Sequence, residues 1–176
     1  MEVRLLASDE LSDALRNRLR ALLFDSFPDD FTEDDWTHGI GGTHIVAFEG
    51  QDAVGHASVI SRRIYVADAA IDGAYVEAVA VDPVHRGRGV GRALVAAVND
   101  VVGSRYPFAA LSTSKHPLYE GAGWERWLGP TFVVAGNRWT RTEDEDAGIM
   151  VFRPPGSPVD DLTARIAVDE RSGDDW

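Results

Sequence analysis

Positions 86 to 91 read Arg86-Gly87-Arg88-Gly89-Val90-Gly91, residue types and a spacing suited to holding a diphosphate. Such a group needs backbone N–H groups converging from a tight turn, glycines for close approach and a helix N-terminus aimed at the charge. The apolar run Tyr75–Val81, then the loop, then Leu94, Val95, Val98, Val101 and Val102 at helical spacing supply strand, turn and helix in that order. A dinucleotide fingerprint does not fit, because Gly87, Gly89 and Gly91 alternate and Arg92 stands where its third glycine would fall. A Walker loop fails as well, since the only lysine in the chain is Lys115. Glu77 is the second residue that calls for chemistry. It interrupts a run otherwise hydrophobic enough for a central strand covered on both faces.

Charge narrows what such a site would serve. The 176 residues hold 29 acids against 17 Lys and Arg, a net charge of −12. Nucleic acid and anionic membranes are repelled by that balance, so neither is expected as a partner, whereas a cation is attracted. The acids cluster at Asp25, Asp29, Asp30, Glu33, Asp34 and Asp35, and again at Glu143-Asp144-Glu145-Asp146. Segment 84–92 reverses the sign, with Arg86, Arg88 and Arg92 and no acid, and reads as one anion site in a protein otherwise suited to cations. With no cysteine the chain has no disulfide, no thiolate nucleophile and no Cys-containing zinc site. His44, His56, His85 and His116 show no ligand spacing, so no metal is expected and these histidines are given no role. No apolar run is long enough to span a bilayer, and Met1–Leu6 is too short and too charged for a secretory signal; a cytoplasmic protein is expected.

The elements that must position these residues follow from periodicity. Ser8 is a candidate N-cap for a helix over 9–24 marked by Leu11, Leu15, Leu19, Leu22 and Leu23. Gly41-Gly42 breaks the chain before Ile45–Phe48, and Glu49–Asp52 turns it into Val54–Ile60, an antiparallel hairpin that Arg62–Val66 can extend. Asp68–Gly73 reads as a loop. Strands are expected at Phe108–Leu111, Thr131–Val134 and Ile149–Phe152, with a short helix around Leu118–Ala122. The fold class is therefore α/β, a mixed sheet flanked by helices, in one domain over 1–176. Residues 154–176 have a tail-like composition, but Leu162, Ile166, Val168 and Trp176 give it apolar anchors, so an ordered tail is expected.

Arg86, Gly89 and Gly91 match the (Arg/Gln)-x-x-Gly-x-(Gly/Ala) signature, and in this strand–loop–helix setting the chain resembles the GCN5-related N-acetyltransferase superfamily. Along almost its whole length it further resembles the aminoglycoside 2'-N-acetyltransferases. The stretches that carry the likeness are 30–36, Gly41-Gly42-Thr43-His44, Tyr75–Val81, Leu118–Trp124 and the final Arg171-Ser172-Gly173-Asp174-Asp175-Trp176. This resemblance implies a GCN5-related N-acetyltransferase fold and transfer of the acetyl group of acetyl-CoA to the 2'-amine of aminoglycoside antibiotics. It also implies a resistance role and a homodimer. Aminoglycosides carry several ammonium groups, which suits the acidic clusters.

The resemblance also assigns roles. Val79, Val81, Arg86–Gly91 and Ser112 would hold acetyl-CoA, with the backbone N–H of Val79 donating to the thioester oxygen. Asp30, Asp35, Glu77, Ser112, Asp146 and the carboxylate of Trp176 would contact the acceptor, Asp146 being one of four consecutive acids. Glu77 would take the amine's proton, directly or through water, with the Trp176 carboxylate as a second acceptor. Tyr119 would protonate the leaving thiolate, because a phenol is a donor near neutral pH. Trp36, Trp124 and Trp127 fit either a pocket wall or the core. Two alternatives stay open: transfer to another polycationic amine, and a non-catalytic acyl-CoA-binding sensor.

Overall fold

A computed structural model describes residues 1–29 and 31–176 and divides them into two compact units. The first comprises Met1–Ile60 and Val76–Asp100, the second Ser61–Tyr75 and Val101–Trp176.

The first unit is built on antiparallel strands. β1 (Glu2–Ala7) pairs with β2 (Thr43–Glu49), which pairs with β3 (Asp52–Val66) through the hairpin read from the sequence. β4 (Ala69–Val81) lies beside β3 and brings Val76–Val81 into this unit. Against these strands pack α1 (Asp13–Ser26) and α2 (Glu33–His38). Leu19, Leu22 and Leu23 from α1 and Trp36 from α2 meet Val46, Phe48 and Ala80 in one apolar cluster. Trp36 is thus core and not pocket wall. α1 starts later than the leucine pattern implied. Ser12 caps it, accepting from the Leu15 amide at 3.3 Å, while Ser8 sits in a separate 3-10 turn and uses its hydroxyl elsewhere. α3 (Val90–Arg105) starts in this unit and ends in the other.

In the second unit the strand order is β6 (Glu125–Arg126), β9 (Ile149–Phe152), β5 (Ala109–Ser112), β4, β3, β10 (Ile166–Asp169), β7 (Thr131–Ala135), β8 (Arg138–Arg141). β4 and β5 run parallel, as do β10 and β7; the β5–β9, β10–β3 and β7–β8 pairs are antiparallel, so the sheet is mixed. A short helix, α4 (His116–Glu120), has Pro117 in its first turn. Segment 68–73, read as a loop, is mostly strand. The reversal is confined to Ala67 and Asp68, where Ala67 adopts a φ of 52° and Arg165 holds the Ala67 carbonyl and the Asp68 carboxylate. Ile71 then turns inward and Asp72 outward, a period-2 pattern too short to read through the polar residues. Phe108, Tyr119, Trp124, Trp127, Met150 and Ile166 are buried here. Among the described residues no helix is long and apolar enough to cross a membrane.

Candidate active site

The glycine-rich loop has the form its sequence demands. After β4 a 3-10 turn over Pro83–His85 leads into exposed Arg86, Gly87, Arg88 and Gly89, and α3 begins at Val90. Gly87 and Gly89 hold φ of 75° and 87°, left-handed conformations that cost an L residue about 1–2 kcal/mol, and a Cβ at either would meet nothing within 4 Å. The backbone is therefore open to a ligand's close approach. Ala93 donates the first i to i−4 bond of α3, to the Gly89 carbonyl at 3.0 Å. Earlier amides of α3 thus face the loop without an intrahelical acceptor, at the positive end of the helix dipole. Arg86 folds back, its Nε donating to the Val81 carbonyl at 3.0 Å, and exposed Arg88 and Arg92 add positive charge. Entry to the loop is braced by Asp82, which pairs with Arg18 at 2.7 Å; that contact holds the Asp82 carboxyl below its usual range. These residues fit the diphosphate of a coenzyme A.

One strand upstream lies a second irregularity. Ala78 has a φ of 54°, rare for a residue with a Cβ, in the middle of β4. Glu77, Ala78 and Val79 are partly exposed between buried Val76 and Ala80. The strand is thereby irregular and partly open at the Glu77 side chain and the Val79 backbone.

The Ala78 carbonyl is the terminus of a chain of contacts that sequence reading missed. His56 Nδ1 lies 2.9 Å from it, His56 Nε2 lies 2.9 Å from His44 Nδ1, and His44 Nε2 lies 2.9 Å from the Ser8 hydroxyl. Ser8 in turn accepts from the Gly41 amide at 2.8 Å. Burial lowers the two imidazoles to about 4 for His44, where Arg16 adds repulsion, and about 3 for His56. The signal was present in the hairpin. With Val46 opposite His56 and His44 opposite Ser58, both histidines fall on one face of paired strands.

In the second unit, Tyr119 is 4% exposed and packs edge-on against Trp124, 5.8 Å between ring centroids. Burial pushes its phenol up, so it stays protonated and keeps an O–H to donate. Ser112, exposed at the end of β5, donates to Glu145 at 3.0 Å, and burial raises the Glu145 carboxyl. Trp124 and Trp127 are buried core. Trp176 is only 5% exposed, its ring 6.5 Å from that of Tyr75 and its Nε1 donating to Thr142 at 3.2 Å.

Asp146, expected beside the acceptor, has its carboxylate engaged within the protein. Arg141 grips both oxygens, and the Thr131 amide donates to Oδ1 at 3.0 Å. These contacts, the Arg141 pair foremost, hold its carboxyl down to about 2. Because the folded value lies below the ordinary 3.8, this stabilisation is full above about pH 4 and is lost as pH falls toward 2. The melting temperatures of wild type and Asp146→Asn are therefore expected to differ at neutral pH and to converge between pH 4 and 2; a gap that persists at pH 2 contradicts the assignment. Asp35 also has a partner within the protein: it accepts from the Thr32 amide at 2.7 Å as the third-position half of a capping box whose N-cap is Thr32. Asp30 lies outside the described residues.

Comparison with known proteins identifies the family and the fold. Residues 2–127 match the acetyltransferase (GNAT) domain family. Among solved structures, the GNAT-family N-acetyltransferase YhbS of Escherichia coli, in complex with CoA, aligns over 95% of this chain and 88% of its own with a TM-score of 0.67 at 17% identity. A GCN5-related N-acetyltransferase from Kribbella flavida aligns over 73% of this chain with a TM-score of 0.60 at 21% identity, and this chain spans 35% of its length. The fold is that of the GCN5-related N-acetyltransferases, a mixed sheet flanked by helices. An aminoglycoside 2'-N-acetyltransferase of Mycolicibacterium fortuitum is 37% identical over 178 aligned positions, 98% of this chain and 91% of that protein. The chain belongs to the aminoglycoside 2'-N-acetyltransferase family of GNAT acetyltransferases.

Proposed function

We propose that the protein transfers the acetyl group of acetyl-CoA to the 2'-amine of aminoglycoside antibiotics and so confers resistance to them. The observation that carries this reading is the reach of the likeness. The GNAT domain match ends at residue 127, whereas the Mycolicibacterium relative covers 98% of the chain and so takes in most of the tail. The acidic clusters support a cationic acceptor.

On this reading the Arg86–Gly91 loop and the first turn of α3 hold the diphosphate, with Val81 alongside. The amine attacks the thioester carbon, forming C–N as C–S breaks. Glu77 takes the amine's proton, Val79 N–H donates to the carbonyl oxygen as it gains charge, and the Tyr119 phenol donates to the departing sulfur. Transfer is direct, without an acyl-enzyme. Glu77, Ser112, Asp30 and Asp35 contact the acceptor together with the Trp176 segment. Within 143–146 Glu145 supplies the facing carboxylate, while Asp146 holds the platform beneath Thr142 on which Trp176 rests.

Purified protein mixed with acetyl-CoA and tobramycin or gentamicin is expected to release CoA thiol and to yield a product acetylated at the 2'-nitrogen by NMR. Release only with other polyamines moves the reading to a different acceptor. Thermal stabilisation by acetyl-CoA with no transfer to any amine makes the protein a sensor and sinks the proposal.

A further inference from the structure

We infer that Ser8, His44 and His56 form a positioning relay that fixes the Ala78–Val79 peptide and strengthens the Val79 N–H as a hydrogen-bond donor. The inference rests on the reading that Val79 N–H faces the thioester oxygen.

The direction of the relay follows from its ends. The Ala78 carbonyl can only accept, so His56 Nδ1 carries a proton and donates to it. A neutral His56 then has a bare Nε2, which must accept from His44 Nδ1–H. His44 Nε2 is bare in its turn and accepts the Ser8 hydroxyl proton, leaving the Ser8 oxygen to accept from the Gly41 amide. Every member donates once and accepts once, running from a backbone N–H to a backbone C=O. Protonating His56 at Nε2 would set two donors against each other between the rings, and protonating His44 at Nε2 would turn the Ser8 hydroxyl from donor to acceptor and break the order of the chain. Burial, together with the Arg16 guanidinium near His44, keeps both rings neutral.

The relay ends on a peptide group of particular interest. Ala78 C=O and Val79 N–H belong to one planar, trans amide, so fixing the direction of the oxygen fixes the direction of the hydrogen. Donation to the oxygen also draws electron density across the amide and makes the N–H a better donor, and successive bonds in such a chain reinforce one another. Ala78 needs this support. Its φ of 54° is costly for an L residue, and an unsupported strand would relax it. A buried two-histidine chain in a hairpin core is otherwise hard to explain, because two apolar side chains would fill that space without polar groups to satisfy.

The test has a mutant arm and a wild-type arm. His56→Leu keeps bulk but removes the donor and is expected to lower kcat at least tenfold with CoA affinity and acceptor KM within about twofold of wild type. His56→Asn places an N–H at the same δ position and is expected to recover kcat to within about threefold. A folded His56→Leu enzyme with wild-type kcat overturns the relay, as does an Asn variant no better than Leu at equal melting temperature. Ser8→Ala, at the chain's outer end, is expected to shift the Val79 amide resonance; an unmoved resonance overturns the coupling. In wild type, 15N NMR should show both rings as neutral Nδ1–H tautomers near neutral pH, and an Nε2–H form on either ring refutes the geometry even if the leucine variant does not fold. Should the wild type acetylate no amine at all, the functional reading fails, and the tautomer and Ser8→Ala results still judge the relay.

Discussion

Glu77→Gln is expected to lower kcat/KM for an aminoglycoside by about a hundredfold or more near neutral pH, with CoA affinity unchanged, the usual worth of a positioned general base. The substitution keeps size and hydrogen-bonding capacity and removes only the ability to take a proton. What remains should be a rate that climbs with pH toward the amine's own deprotonation, because the acceptor must then lose its proton to solvent. If the effect were one of acceptor binding alone, KM would rise and kcat would stay, and saturating antibiotic would restore the rate. A Glu77→Gln enzyme within about threefold of wild type, with an unchanged pH profile, assigns the proton to another group. Glu77 lies in the partly exposed stretch around Ala78, between buried Val76 and Ala80.

Gly129→Ala is expected to be the most damaging single methyl in the protein. A Cβ there would lie 1.9 Å from the Ala164 carbonyl oxygen and 2.5 Å from that of Thr163, both backbone atoms that cannot swing away. The approach is held by Leu128 and Gly129 amides donating to the Leu162 carbonyl at 2.9 and 3.1 Å, and by Trp127 Nε1 donating to Ala164 at 2.9 Å. Forcing the segments apart should cost about 3 kcal/mol, at the upper end for overpacking. For a chain of this size that is a fall of about 6–12 °C in melting temperature. Gly136 provides the control. It sits in the β7–β8 turn with φ of 60° and open space around it, so Gly136→Asn, a residue tolerant of that conformation, should change stability by less than about 0.5 kcal/mol. Equal melting temperatures for Gly129→Ala and wild type would mean that the 162–164 segment is free to move.

How far the chain announced this arrangement depended on whether a feature was local. The strand–loop–helix form of the glycine-rich segment was legible because alternating glycines between an apolar strand and a helical pattern leave few physical solutions, and Ile149–Phe152 appeared as read. The extension of β3 to Val66 was foreseen as well. β6, β8 and β10 were not called. Each is two to four residues long and owes its strand geometry to neighbours distant in sequence, as β10 does to β3 and β7. Ser8 looked like a helix cap because serines usually are, and only the fold reveals a histidine ring competing for it. Asp146 stood among four acids with nothing in the sequence to show that Arg141 would claim it. Side-chain partnerships of this kind are settled by register, and the register of a bulged hairpin is not fixed by composition.

The placement of β10 bears on how the protein comes to be made. Ile166–Asp169 is inserted between β3 and β7, antiparallel to one and parallel to the other, so the strands on its two sides wait for it. On a ribosome adding residues from the N-terminus, the edges of β3 and the β7–β8 hairpin stand unpaired until Ile166–Asp169 has emerged. A stalled or truncated product would present two open strand edges at once. The nascent chain is thus most prone to mispair in the interval between the emergence of β8 and that of β10, the one strand that closes both edges.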